Sequence, residues 1–134
     1  MKITSKADYA LHAMMYIASN DGKAISSINK IAEAEAIPRE YLAKILKELV
    51  ALGFLKSHRG IRGGYTLSRP NKNYTFLEII EGIDGPINPI NCTRLENKRN
   101  GHRKGKCPAF AHFDRIKKGL LRDLGAISLA DISR

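Results

Sequence analysis

The stretch that most constrains this chain runs from Pro38 to Gly53. Leu42, Ile45, Leu46, Leu49 and Leu52 recur at the i, i+3, i+4, i+7 spacing of one buried helical stripe. Arg39, Glu40, Ala43, Lys44, Lys47 and Glu48 fall on the other faces. Pro38 suits a first helical turn, where a missing N–H costs nothing, and Gly53 suits the stop. A shorter helix precedes it, capped by Ser26 or Ser27 and burying Ile28, Ile31 and Ala32. Glu35-Ala36-Ile37 is too short to separate the two, so the pair reads as a helix-turn-helix whose second helix enters a DNA major groove. An ordinary helical hairpin would share this pattern.

The segment after Gly53 separates those alternatives. Phe54–His58 and Tyr65–Ser68 read as two strands joined by Arg59-Gly60-Ile61-Arg62-Gly63-Gly64, a glycine-rich hairpin tip. Between Arg39 and Arg69 there are seven Lys/Arg and two Glu, net +5. An arginine-bearing tip suits phosphate contacts or a narrow minor groove, although charge on an exposed hairpin is also common without function. The whole chain of 134 residues carries a formal net charge of +10, which favours a polyanionic partner and says nothing about fold.

Upstream, Ser5 to Ser19 reads as a helix with two apolar faces: Tyr9, Ala10, Ala13, Met14 and Ile17 on one, Leu11, Met15 and Ala18 on the other. Asp8 and His12, spaced i, i+4, share a side, where they can hydrogen-bond to each other or ligate one metal. Downstream, Thr75 caps a helix over Phe76–Glu81, and Gly82, Gly85 and Pro86 end it. From Asn91 to Lys106 the chain carries six Lys/Arg against Glu96, with Cys92 at the start and Cys107 just beyond the end. So polar a segment has little to bury unless its ends are tied together. A last helix from about Pro108 to Leu124 bears Phe110, Phe113, Ile116, Leu120, Leu121 and Leu124, an apolar stripe suited to a twin in a homodimer or to the chain's own first helix. Ser128 to Ile132 reads as a short final turn or helix.

The expected fold is mainly α with a small two-stranded β wing: a winged helix-turn-helix over residues 1–86, a cysteine-containing sensor loop over 87–107, and a dimerisation helix with a C-terminal turn over 108–134. No apolar run approaches the ~20 residues of a membrane span, and the start leads directly into an amphipathic helix without a signal peptide. A cytoplasmic protein with no membrane association is therefore expected, in which two cysteines serve as ligands or redox thiols rather than as a structural disulfide. No Cys/His pair sits on rigid elements with a third orienting group, so no enzyme is expected.

The order of these segments resembles the IscR/NsrR-type family of bacterial winged-helix transcription regulators, the Rrf-two superfamily, in a two-cysteine variant. The resemblance rests on Met1 to Leu11, Tyr41-Leu42, Leu55 to Leu67 with Arg59-Gly60 and Gly63-Gly64-Tyr65, Glu78-Ile79-Ile80, Gly85-Pro86-Ile87, Cys92…Cys107-Pro108 and Ser128 to Ile132. It covers essentially the whole chain. It implies a homodimeric regulator, a repressor by expectation, that reads a palindromic promoter operator in double-stranded DNA. Arg39, Tyr41 and Lys44 are the candidate contacts from the recognition helix, and Arg59 and Arg62 those from the wing. Many relatives carry an acidic residue where this chain has Ala43, so operator preference does not transfer.

The resemblance also implies an iron–sulfur cluster that controls DNA affinity. Cluster-binding members usually have three cysteines in the loop. Here fourteen residues separate Cys92 from Cys107, none is cysteine, and the middle position falls near Lys98; a histidine used by one branch is replaced by Phe110. In the family a carboxylate at the position of Asp8 can serve as a ligand supplied by the other subunit, and a two-cysteine branch adds a histidine at the position of His12. The implied set is Cys92, Cys107, His12 and Asp8 around a 2Fe–2S cluster, with nitrogen and oxygen donors raising its potential. Three alternatives stay open: zinc on Cys92, His102, Cys107 and His112; a metal-free thiol switch between Cys92 and Cys107, whose thiolates the surrounding Lys and Arg favour; and sensing through a partner protein.

Overall fold

A computed structural model describes residues 3–19, 24–88 and 108–132. The elements run α1 (Ser5–Ala18), α2 (Ile28–Glu35), α3 (Arg39–Ala51), β1 (Leu55–His58), β2 (Gly64–Leu67), α4 (Phe76–Asp84), α5 (Phe110–Ala126) and α6 (Leu129–Ile132), with a 3-10 turn over Asn71–Asn73. Among the described residues, six helices and a two-stranded antiparallel sheet make the winged helix-turn-helix that the apolar spacing predicts.

The core is built on α1. Ala7, Ala10, Ala13, Met14 and Ile17 are fully buried, and the alanines let neighbouring helices approach closely. Leu42, Ile45, Leu46 and Leu49 of α3 are sealed against the same cluster, with Ile31 from α2 and Ile79 from α4. Each such aliphatic chain stabilises the fold by roughly 1.5–3 kcal/mol relative to exposure.

Caps fix where the helices begin. The Thr4 hydroxyl accepts from the Ala7 N–H at 3.1 Å and donates to Asp84, the last residue of α4, so one side chain starts α1 and ties it to α4. The Ser27 hydroxyl accepts from the Lys30 N–H at 3.3 Å and the Thr75 hydroxyl from the Glu78 N–H at 3.1 Å. Pro38 sits at the cap of α3, one position before the first turn. The turn between α2 and α3 rests on Ala36, a non-glycine residue at φ 52°, where a β-carbon crowds the following carbonyl. Its N–H bonds back to the Ala32 carbonyl.

Two boundaries differ from expectation for clear reasons. Leu52 lies past the end of α3 and is 40% exposed, because Gly53 at φ 80° turns the chain before the stripe completes another turn. Gly82 lies inside α4, which continues to Asp84; a β-carbon there would come within 3.0 Å of the Phe54 ring, so it is a close-packing glycine, and Gly85 is the stop.

The wing pairs Leu55 with Leu67, Lys56 with Thr66, Ser57 with Tyr65 and His58 with Gly64. Tyr74 pins its base. The buried phenol donates to the Phe54 carbonyl at 2.7 Å and accepts the Arg69 N–H at 3.0 Å. The Arg69 guanidinium lies 4.3 Å from the centre of the Tyr74 ring and reaches Glu78 at 2.6 Å. The Glu78 hydrogen bond first, and Tyr74 second, raise the Arg69 pKa above its ordinary value.

The chain's end returns to this corner. Phe76 N–H bonds to the Ile127 carbonyl at 2.9 Å and Leu129 N–H to the Tyr74 carbonyl at 3.0 Å, and Leu129 is fully buried in the main core. Between them the C-terminal half of α5 packs Leu120, Leu121 and Leu124 against the α4 side of a second small core holding Ala7, Ile80 and Ile87. No residue of α5 is fully buried, and Ile116 is 54% exposed.

Tyr74→Phe deletes the phenolic hydroxyl and leaves the Phe54 carbonyl and Arg69 N–H without this partner. It should destabilise the protein by about 1–2 kcal/mol, seen as a lower urea midpoint with an unchanged m value.

Candidate nucleic-acid interface and sensor face

Two surfaces carry the candidate residues. The first is the outer side of α3 together with the wing. With about 100° of turn per residue, Glu40, Lys44 and Lys47 lie opposite the buried Leu42, Ile45, Leu46 and Leu49, and all three are exposed. The remaining residues of the first turn are held from two sides. Arg39 is exposed but its Nε donates to Asn29 Oδ1 of α2 at 2.7 Å. Tyr41 is 36% exposed and meets Tyr9 of α1 edge to face, with ring centres 5.6 Å apart. Glu48, two turns further along that flank, pairs with Lys6 at 2.6 Å. Arg39 and Tyr41 thus present polar atoms at the helix's edges from anchored positions, while Lys44 stands free on the outer face. That arrangement suits positioning at the rims of a groove and a cation at its phosphates.

The wing projects from the same region. Arg59 and Arg62 are exposed. The Gly63 N–H bonds to the Gly60 carbonyl at 2.9 Å, closing a four-residue turn with Ile61 and Arg62 at its corners; Gly60, at φ 109°, makes the entry. The base of the wing is tied to the strand-like residue before α2: Ser26 and Tyr65 exchange two backbone hydrogen bonds, of 3.0 and 2.9 Å. Gly64 sits against this junction so closely that a β-carbon would lie 2.3 Å from the Ser26 carbonyl oxygen. The wing's angle to the helix-turn-helix is therefore set by a contact only glycine permits.

The second surface is the outer side of α1. Asp8 and His12 do lie side by side, His12 Nε2 being 3.4 Å from Asp8 Oδ1. The other imidazole nitrogen, Nδ1, lies 3.3 Å from Glu35 Oε2, at the C-terminus of α2. Sequence reading missed Glu35, as it missed Asn29 and Tyr9: no spacing rule links residues on separate helices. A cleft of about 460 Å³ opens here, lined by His12, Met15, Tyr16, Ser19, Ala34, Glu35 and Ile132. Among the described residues no three His, Cys, Asp or Glu side chains converge on one metal position. Cys92, Cys107 and His102 lie outside the described residues, and His112 is exposed on α5. Asp8 and His12 thus stand as two adjacent polar side chains, and Glu35 faces the far nitrogen of the imidazole.

Comparison with known proteins places this geometry. The profile of the Rrf2 family, described as "Iron-dependent Transcriptional regulator", matches residues 3–134. A helix-turn-helix-type transcriptional regulator of Mycobacterium tuberculosis is 34% identical over 87 residues, which is 65% of this chain and 54% of the relative; the chain thus aligns with about half the length of that protein. Among solved structures, CymR (YrzC), the global cysteine regulator of B. subtilis, is similar with a TM-score of 0.80 and 28% identity, over 99% of this chain and 96% of that one. T. potens IscR gives 0.77 and 26% over 98% and 85%. The oxidized form of Staphylococcus aureus CymR gives 0.74 and 25% over 96% and 93%.

Gly64→Ala should displace the wing from Ser26. We expect a loss of about 1–3 kcal/mol in stability by thermal melting, together with DNA affinity reduced more than the stability loss explains in a gel shift below the melting range.

Proposed function

The chain belongs to the Rrf2 family of transcriptional regulators, and from that premise we propose that it is a homodimeric repressor of palindromic promoter operators whose affinity is governed by a 2Fe–2S cluster at the dimer interface. The described residues include no helix long and apolar enough to cross a membrane. On this reading residues 1–86 bind DNA, 87–107 sense, and 108–134 dimerise. Arg39, Tyr41 and Lys44 meet the major groove, and Arg59 and Arg62 meet the minor groove or its phosphates. The half-exposed apolar side of α5, from Phe110 to Ile116, is the surface offered to a second subunit, and two-fold pairing matches a two-fold operator.

The observation that carries the sensing half is the environment of His12. Its Nδ1 faces Glu35 and its Nε2 faces Asp8, so a proton on Nδ1 leaves Nε2 and the Asp8 carboxylate as neighbouring donors. Cys92 and Cys107 of the other subunit would complete the set. The cluster, when bound, supplies a one-electron redox couple. The family's description as iron-dependent supports this reading.

A second reading keeps the same DNA-binding regulator and replaces the cluster with a Cys92/Cys107 thiol switch. It is favoured by the existence of an oxidized form of the similar S. aureus CymR and by the basic residues flanking both cysteines. Zinc on Cys92, Cys107, His102 and His112 is a third ligand chemistry for the same segment.

Purification without oxygen separates the three. Under the cluster reading the protein is coloured and contains iron and sulfide, Cys92→Ala abolishes the colour, and His12→Ala shifts the visible spectrum. Zinc without iron supports the third chemistry. A colourless, metal-free protein whose DNA affinity follows thiol oxidation supports the second. For DNA, affinity should fall steeply with salt, and Arg59→Ala should cost about 1–3 kcal/mol if it makes a base contact. Equal affinity of Arg59→Ala and the parent would remove the wing from the interface.

A further inference from the structure

The least buried large apolar side chain among the described residues is Ile61, at 107% of its reference accessibility; the next, Ile116, stands at 54%. It occupies a corner of the Gly60–Gly63 turn at the apex of the wing, beside Arg62 and two residues from Arg59. A β-branched aliphatic residue fits such a place poorly. Turn corners favour Pro, Asn, Asp, Ser or Gly, and branched residues favour strands. The side chain has no apolar counterpart along the turn: its immediate neighbours are Gly60 and Arg62, followed by Arg59 on one side and Gly63 on the other, and the adjacent β1 residues Lys56 and Ser57 are exposed. Where one local rule is broken without a gain in the folded chain, function is the first place to look.

We propose that Ile61 is an apolar wedge that enters the DNA minor groove and partly opens one base step. This rests on the reading that the wing contacts DNA. The flanking guanidinium groups of Arg59 and Arg62 are drawn to the negative potential of a narrow minor groove, and Ile61 lies between them in the chain, where their approach carries it to the groove floor. Branched aliphatic side chains are used in this way by minor-groove proteins, unstacking a step and kinking the duplex toward the major groove. The close contact of Gly64 with Ser26 gives the hairpin a firm base from which to press. The wedge chooses DNA by deformability: flexible pyrimidine–purine steps open more readily than stiff A-tracts, so Ile61 selects sequence at a position where it makes no hydrogen bond.

The test uses the full-length protein and a duplex enriched by the parent protein from a pool with a randomised central segment. Three proteins are compared: parent, Ile61→Ala and Arg59→Ala. Because Ile61 is fully exposed, its alanine variant should fold and melt as the parent does. Ile61→Ala should bind roughly five- to tenfold more weakly, the scale of one lost local contact. It should also bend circularly permuted fragments less and abolish the fluorescence rise of 2-aminopurine placed at the wedged step, with its salt dependence unchanged because no phosphate contact is lost. Parent-like affinity and bending in Ile61→Ala, with Arg59→Ala impaired, would overturn the wedge and leave the wing's DNA role standing. So would weaker binding with no change in bend or 2-aminopurine signal. Parent-like binding by both variants, or no enriched duplex at all, would overturn the wing reading and the wedge with it.

Discussion

Close packing around a nearly side-chain-free face of α1 is the constraint on which the other arrangements depend. Ala7, Ala10 and Ala13 bring α1 against its neighbours without intervening bulk, and Met14 and Ile17 complete the contact. The exposed and half-exposed positions of the same helix then reach outward to nearly every functional element. Tyr9 meets Tyr41, Lys6 meets Glu48, Thr4 holds Asp84, and His12 meets Glu35. A helix so tightly seated cannot shift without moving something that it touches, because packed interiors transmit displacement rather than absorb it.

That geometry gives the proposed sensor a short mechanical route. Asp8 and His12 lie on α1 itself. Glu35 closes α2 one residue before Ala36, whose left-handed backbone makes the turn into α3. Tyr9, adjacent to Asp8 in sequence, touches the first turn of α3 directly. A change in what Asp8 and His12 hold would therefore act on both ends of the helix-turn-helix turn through side chains already in contact. For the thiol switch the two sulfurs belong to the segment between α4 and α5, outside the described residues, so no such route can be traced from them.

The helices and the wing were legible because their information is local. The i, i+3, i+4 stripe of α3, the Ser27 and Thr75 caps, and the Gly60–Gly64 tip each need only a few consecutive residues to be read. Boundaries failed where a distant partner decided them. Gly82 reads as a stop until Phe54 is seen against it, and Leu52 reads as core until Gly53 is seen to turn the chain away. At the candidate site, Asp8 and His12 were legible as an i, i+4 pair, whereas Glu35 and Asn29 lie on another helix and leave no periodic trace, and Tyr9, legible as part of the α1 stripe, gives no sign in the sequence of its contact with Tyr41. The cysteine segment, where the ligand question is decided, lies outside the described residues.

The basic charge of the chain takes on meaning only through this frame. A net charge of +10 alone would bind any polyanion. The fold sorts that charge into different tasks. Arg69 is used internally, stacked on Tyr74 and paired with Glu78 where it braces the wing's base, and Lys6 is held by Glu48. Arg39 is aimed by Asn29. Lys44, Lys47, Arg59 and Arg62 stay exposed, on the outer face of α3 and at the hairpin's tip. Specificity then has to come from the few groups whose direction is fixed, because freely swinging cations hold any duplex equally well. The anchored first turn of α3 and the glycine-seated wing are the two places where this molecule supplies such direction.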